Sequence, residues 1–420
     1  MQHMTFPREV FLEAKSPEKL GMDIFLGVYN GSAYLSSLKS QLLDQTNQDF
    51  HLVVVDNNST DNSYELIKEW SQSFESRITI VRNKINLGGS GTILNSLDLF
   101  KTSWFTSFHQ DDFYKPVHVE VLLNEINKSS ERVVAISTVM ASMDADGTKI
   151  GTVPRSSMFT KSNHPVSAFI QNLQTHSVPW PATAFKCEVF KKSQALWHST
   201  AFPDTEQILR MCAYGEFVTI QKETMYYREN PFSESHTVMT SQSELGATLS
   251  LFRVFGSTEF KTITSHLSAN EVETFGLELI YAIDYRLRES ALAGLLSLYA
   301  IEMLIQNVGY HNRGLVLLAQ SFYQELQSSS TSNLLLNLAQ NDESERQNSE
   351  LSAPPSLENF LKTFKLKKQA THNKKNIVDR FMRFKYFQKL PYTWKILVIR
   401  VMVSSGKLLG KFSHFRFGRH

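Results

Sequence analysis

The chain has 420 residues, 42% hydrophobic and 20% charged, with a formal net charge of +2 and two cysteines. That length exceeds one ordinary core, so two or more domains are expected, and the composition is that of a globular protein. Cys187 and Cys212 are too few for a disulfide framework and suit a reducing compartment, and no run of about 18 apolar residues reads as a membrane-spanning helix. Residues 1–20 carry Arg8, Glu9, Glu13, Lys15, Glu18 and Lys19 without an apolar stretch, so no signal peptide is expected.

Residues 23–28 read as a buried strand, followed from about Ala33 by a helix with Leu35, Leu38 and Leu42 on one face. Residues 51–55 form a second apolar strand, and a helix over 63–74 brings Ile67, Trp70 and Phe74 into step. A third strand over 78–81, a third helix over 91–100 with Ile93, Leu97 and Phe100 inward, and a fourth strand over 104–108 complete the run. Alternating strands and helices predict an α/β fold with a Rossmann-like, mostly parallel sheet and flanking helices. Ligands of such sheets bind beyond the carboxyl ends of the strands. Those ends read Tyr29-Asn30-Gly31, Asp56-Asn57-Asn58-Ser59-Thr60-Asp61, Asn83 with Asn86-Leu87-Gly88-Gly89, and Asp111-Asp112. Asp, Asn and Gly are turn formers anywhere, but four consecutive strand ends of this kind point to one polar crevice.

Further along, 133–140 reads as a strand, Asp144-Ala145-Asp146-Gly147 as a hairpin turn, and 182–185 as a short strand. Residues 204–214 read as a helix that Gly215 ends, and 217–220 as a strand. From 243 to 327 the pattern is helical, with Asn270-Glu271-Val272-Glu273 as a capping box. Residues 328–358 are polar and contain Pro354-Pro355, a linker or disordered segment. The expected domains are therefore 1–240, a helical region 241–327, the linker 328–358 and a basic amphipathic tail 359–420.

The most telling stretch is Phe105-Thr106-Ser107-Phe108-His109-Gln110-Asp111-Asp112. Two adjacent carboxylates at a strand end repel one another, and a divalent cation with a taste for oxygen would offset that repulsion. Such a cation would in turn hold a diphosphate. The bland reading is a pair of surface carboxylates.

Val28-Tyr29-Asn30-Gly31, then Val55-Asp56-Asn57-Asn58-Ser59-Thr60-Asp61-Asn62-Ser63, Asn86-Leu87-Gly88 and Gln110-Asp111-Asp112, taken in order, resemble the motifs of a family 2 glycosyltransferase of the GT-A fold. The resemblance covers roughly residues 22–236. It implies a GT-A-type sheet and an inverting enzyme that uses a nucleotide-diphosphate sugar. Asp56 would read the base, since a carboxylate accepts from an imide N–H such as that of uracil or thymine, hence a UDP- or dTDP-sugar. Tyr29 and Asn30 would belong to the nucleotide-contacting first loop, and Asn86 and Gly88 would shape the donor site. Asp111 and Asp112 would bind Mn2+ or Mg2+ against the diphosphate. The family pattern is Asp-x-Asp-Asp, and here His109 holds the first position.

Phe202-Pro203-Asp204-Thr205-Glu206-Gln207-Ile208-Leu209-Arg210 resembles the family's second acidic motif, with Pro203 in place of the usual Glu. Asp204 would then be the general base that takes the acceptor's hydroxyl proton, and Glu206 is the alternative. An N-cap is the competing reading of Asp204. His236 in Ser233-Glu234-Ser235-His236 resembles a third metal ligand, or is a surface histidine. Arg228 would contact phosphate or make a structural pair, and Trp180 would stack on a sugar or sit in the core.

Residues 361–420 hold sixteen of the 43 Lys and Arg but one acid, Asp379, which leaves a body of about −13 and a tail of about +15. Phe381-Met382-Arg383-Phe384-Lys385-Tyr386-Phe387 interleaves bases with aromatics, which suits an anionic membrane surface, with a helix docked in a dimer as the alternative. No nucleic-acid module is recognisable, so no nucleic-acid partner is expected. Combined with the family, the tail implies a cytoplasmic enzyme, peripheral on the inner face of the plasma membrane. A lipid-linked saccharide acceptor in bacterial surface polysaccharide assembly follows from the same two features. The rival classes are a catalytically inactive sugar-binding scaffold, a membrane-docking adaptor, and a nucleotidyltransferase, though Tyr29-Asn30-Gly31 lacks the basic phosphate loop of the last.

Overall fold

The computed structural model describes residues 6–152, 165–175, 178–193, 203–229, 250–287, 291–309, 315, 316 and 319. The linker 328–358, the tail and His236 lie outside the described residues. Contacts divide the chain into two compact units between Ser250 and Leu251.

The first unit opens with β1 (Arg8–Leu12), β2 (Met22–Val28), α1 (Ser32–Leu43), β3 (Phe50–Asp56), α2 (Ser63–Glu69), α3 (Ser71–Phe74) and β4 (Ile78–Asn83). It continues through α4 (Gly88–Leu94), β5 (Trp104–Phe108), β6 (Phe113–Tyr114), α5 (His118–Ile126), β7 (Val133–Met143) and β8 (Lys149–Thr152). It closes with α6 (Pro165–Thr175), β9 (Thr183–Lys186), α7 (Cys187–Lys192), α8 (Pro203–Met211) and β10 (Glu216–Arg228).

One sheet runs in the order β1-β4-β3-β2-β5-β9-β7-β10-β6, with β8 hydrogen-bonded to β7. Its first half is the parallel run β4-β3-β2-β5, built from the four strands expected from sequence. β3 and β5 are buried at every residue and β2 at all but Gly27, the signature of strands covered on both faces. Leu35, Leu38 and Leu42 of α1 and Ile67 of α2 close over the sheet in one core cluster with Trp70 and Phe74. Past β5 the antiparallel β9 intervenes, and then β7 and β10 pair in parallel over their whole length. The result is the expected α/β, Rossmann-like sheet with flanking helices, extended by antiparallel strands at each edge.

Several elements differ from the sequence reading. β1 pairs antiparallel with β4 at the sheet edge. The third helix starts earlier and ends at Leu94; beyond it Leu97 and Phe100 are still buried, but in turns. β10 is one strand of 13 residues rather than the short strand over 217–220. α5 and α6 were not read from the sequence at all.

The second unit consists, among the described residues, largely of the helices Thr258–Ser265, Ala269–Leu287 and Ala291–Val308. The first is capped by Ser257, whose hydroxyl accepts from the Phe260 N–H at 3.1 Å. The capping box of the second is Ser268 with Glu271, two residues before the expected Asn270 and Glu273: the Ser268 N–H and hydroxyl donate to Glu271 Oε2 at 2.8 and 2.6 Å. Serine is the stronger partner there because its hydroxyl and main chain meet one carboxylate together.

Candidate functional site

The loops after β2 and β3 are stitched together. Asn30 adopts a left-handed conformation (φ 47°), which Asn tolerates better than most residues. Its N–H donates to Ser59 Oγ at 3.0 Å, and its Oδ1 accepts from the Thr60 N–H at 2.8 Å. Asp61 accepts from the Ser63 N–H (2.9 Å) and the Ser32 N–H (3.2 Å), so one carboxylate serves the first turns of both α1 and α2. Burial pushes that carboxyl up, but the Ser63 and Ser32 hydrogen bonds outweigh it and hold it at about 2.

Asp56 ends β3 with its side chain fully buried. Its oxygens accept from the Ser59 N–H at 3.3 Å, and Arg82 Nε lies 3.1 Å from Oδ2. Burial raises this carboxyl above its ordinary value, against the pull of Ser59 and Arg82. Arg82 stands beside Asp56 in register on β4, with its guanidinium 4.5 Å from the Tyr64 ring and Nη2 donating to Ser59 O at 3.0 Å. Sequence reading missed Arg82; its only signal was a cation at the end of an apolar strand.

The loop after β4 hangs on asparagines. Asn57 Oδ1 accepts from Asn83 Nδ2 and the Leu87 N–H, each at 3.0 Å, and Asn57 Nδ2 donates to Asn86 Oδ1 at 2.7 Å. Asn86 Oδ1 also accepts from the Gly88 N–H at 2.8 Å. Gly88 has φ 66°, a conformation that costs a residue with a Cβ, and it opens α4 toward the crevice mouth. Tyr29, 42% exposed, flanks the same opening.

At the end of β5 the Phe108 ring stacks on Tyr114 with centroids 3.6 Å apart and planes at 5°. The Tyr114 hydroxyl accepts from the His109 N–H at 2.9 Å, which anchors the start of the acidic loop. Asp112 is 3% exposed; its Oδ1 accepts from the Arg228 N–H at 2.9 Å, while Oδ2 is buried with no hydrogen bond. The His109 ring reaches that orphan atom only at 3.4 Å. Burial raises the Asp112 carboxyl above its ordinary value, partly offset by His109. For His109, desolvation would lower the imidazole, but Asp112, Asp111 and Asp204 together raise it. Asp204 is therefore close enough to the acidic loop for its charge to be felt there. Asp111 is half-buried beside Asp112.

Arg228 braces the acidic loop through main-chain carbonyls. Its Nε donates to Asp111 O at 2.8 Å and Nη1 to Ala145 O and Asp144 O at 2.6 and 3.3 Å, tying the acidic loop to the β7–β8 hairpin. Asp204 lies in the first turn of α8, behind Pro203, rather than at the N-cap. Glu206 is fully buried and accepts both Nε and Nη2 of Arg210, at 3.1 and 2.8 Å. Trp180 is half-buried and packs against Phe185 and Phe190 at 4.9 and 5.6 Å.

Tyr29, Asn30, Asp56, Asn86, Gly88, Asp111 and Asp112 thus lie at or just beyond the ends of β2, β3, β4 and β5, and Asp204 lies on α8. Among the described residues no three His, Cys, Asp or Glu side chains converge to hold a cation by themselves. Mg2+ and ions like it are commonly held by one or two carboxylates with phosphate oxygens and waters, so a full protein cage is not required. A buried carboxylate oxygen with no partner, beside a second carboxylate, fits such an ion. Among the described residues no helix is long and apolar enough to cross a membrane.

The chain is similar to several known proteins. The chain is 23% identical over 212 residues to the poly(ribitol-phosphate) beta-glucosyltransferase of Bacillus spizizenii, 49% of this chain and 32% of that protein. It is 33% identical over 86 residues to the abequosyltransferase RfbV of Salmonella typhimurium, 20% of this chain and 26% of that protein. The chain thus spans about a third or less of the length of these relatives. Among solved structures it is similar to residues 1–349 of S. aureus TarS in complex with UDP-GlcNAc, with a TM-score of 0.46 and 16% identity over 72% of this chain and 91% of that one. Residues 23–193 match the family model described as glycosyl transferase family 2, and over that segment the chain is similar to the family.

Proposed function

We propose that the chain transfers a sugar, with inversion, from a nucleotide-diphosphate sugar to a hydroxyl of a saccharide acceptor. What supports this reading is the buried, unpartnered Asp112 Oδ2 beside Asp111, inside the family 2 match.

Asp56 and Arg82 sit side by side as acceptor and donor. That pair suits a base edge with an N–H next to a carbonyl, as in uracil or thymine, and contact with it requires the Ser59 loop to shift off the buried carboxylate. Tyr29, Asn30, Asn86 and Gly88 border the nucleotide. Asp111 and Asp112 would hold Mn2+ or Mg2+, which supplies positive charge against the leaving diphosphate. Asp204 takes the acceptor's proton as its oxygen attacks the anomeric carbon, and one displacement of this kind inverts the configuration.

The acceptor is a lipid-linked or polymeric saccharide of a bacterial surface polysaccharide. The name of one relative describes glucosyl transfer to poly(ribitol phosphate), and that of another abequosyl transfer. The basic segment 361–420 would bring the enzyme to the inner face of the plasma membrane. The reading is tested by incubating the full chain with Mn2+ and a panel of UDP-, dTDP- and GDP-sugars and measuring nucleoside diphosphate release with and without saccharide acceptors. Acceptor-stimulated release from one donor supports it; no release from any donor refutes it.

A further inference from the structure

Position 109 carries an imidazole where the family pattern Asp-x-Asp-Asp has a carboxylate. The structure fixes the main chain of His109 and one carboxylate oxygen of Asp112 and leaves Asp112 Oδ2 over, facing the ring. The His109 main chain is fixed by the Tyr114 hydroxyl at 2.9 Å, and Asp112 Oδ1 by the Arg228 N–H at 2.9 Å. Asp112 Oδ2, on a side chain 3% exposed, has no hydrogen bond, and His109 Nδ1 stands 3.4 Å from it. That is outside good hydrogen-bonding geometry. It is the spacing of two ligands on one metal ion: atoms about 2.1 Å from a cation lie about 3.0 Å apart at right angles and about 3.4 Å apart tetrahedrally.

We propose that His109 and Asp112 grip the divalent cation as a nitrogen–oxygen pair, with the diphosphate and waters completing its shell, and that this pair discriminates against Mg2+. The inference rests on the donor-site reading above. Mg2+ keeps to oxygen ligands and gives up water reluctantly, whereas the first-row transition ions take an imidazole nitrogen beside oxygen ligands, Co2+ more strongly than Mn2+. The replacement of a carboxylate by His109 thus changes which ion the crevice retains. It also lowers the negative charge there by one, which favours an ion bound through a stronger nitrogen bond over one bound by charge alone.

The test uses the full chain, UDP as the nucleotide probe, and calorimetric titrations of Mn2+, Co2+ and Mg2+, with pulsed electron paramagnetic resonance on the Mn2+ complex. The wild type should bind Mn2+ and Co2+ at least about tenfold more tightly than Mg2+ and should show nitrogen coupling to Mn2+. His109→Asn should lose about tenfold in Mn2+ and Co2+ affinity, less than threefold for Mg2+, and the nitrogen coupling with them. His109→Asp should bring Mg2+ close to Mn2+. Absence of nitrogen coupling together with unchanged Mn2+ affinity in His109→Asn overturns the proposal and leaves the donor reading standing. UDP binding that no metal affects likewise overturns the metal pair alone. Failure of the wild type to bind UDP or any UDP-sugar under all conditions overturns both.

Discussion

Tyr29 and Gln110 are joined at both ends of one amide: the Tyr29 N–H donates to Gln110 Oε1 at 3.1 Å, and Gln110 Nε2 donates to Tyr29 O at 3.2 Å. These residues are 81 apart in sequence, and the pairing locks the loop after β2 to the loop after β5. A Cβ on Gly31 would run into the same amide, so the glycine makes room for it. Gln110→Glu keeps the shape and removes the donor. It should lower kcat/KM about five- to tenfold, the equivalent of one lost hydrogen bond of about 1 kcal/mol, with little change in melting temperature. Steady-state kinetics beside thermal denaturation check this.

Arg228 serves three main-chain carbonyls through a planar fork, which a lysine cannot copy. Arg228→Ala should cost about 1.5–3 kcal/mol in urea denaturation, and Arg228→Lys should recover less than half of it. Both variants should also weaken UDP binding, because the brace holds the acidic loop. Full recovery by lysine would show that charge alone matters.

Asp204→Asn tests the base directly. Both residues suit the first turn of α8, so the fold should be indifferent to the change. Transfer should fall by about a hundred- to ten-thousand-fold while UDP-sugar affinity stays within about twofold. Equal losses in binding and turnover would move Asp204 out of the catalytic role.

His118 is buried against Phe108 and Tyr114, with Nδ1 at 2.7 Å from Thr224 Oγ1 and Nε2 unpartnered. Burial alone pushes its imidazole down from 6.5 to about 3. Between those values the unfolded chain binds a proton that the folded one refuses. Stability present above pH 6.5 is therefore lost as pH falls toward 3, at up to about 1.4 kcal/mol per pH unit. Urea midpoints at pH 7.5, 6 and 5 should fall more steeply for the wild type than for His118→Gln. Parallel slopes would contradict the assignment.

The parts of this fold that were legible in the sequence are those written in uninterrupted apolar runs. β2, β3 and β5 are buried on both faces, so their residues had no polar alternation to confuse the reading. β1 has no fully buried residue and shows only an edge strand's mixed pattern. In β10, Gln221 and Lys222 are exposed where its register against β7 shifts, so only its first part, 217–220, read as a strand. α6 starts at Pro165, a helix-opening signal that went unused. In the site, the carboxylates announced themselves by type and order. Their supports did not, since Tyr29–Gln110, Asp112–Arg228 and His118–Thr224 are contacts across 81, 116 and 106 residues that only folding creates.

The most direct measurement is the thermal shift of the full chain with UDP or its donor UDP-sugar, in Mn2+ and in EDTA, for the wild type and Asp112→Asn. At a concentration about 100 times the dissociation constant the ligand should stabilise the wild type by about 2.7 kcal/mol in Mn2+. The shift should vanish in EDTA and in Asp112→Asn. An equal shift in EDTA, or in the variant, would contradict a cation held by Asp112 against the diphosphate.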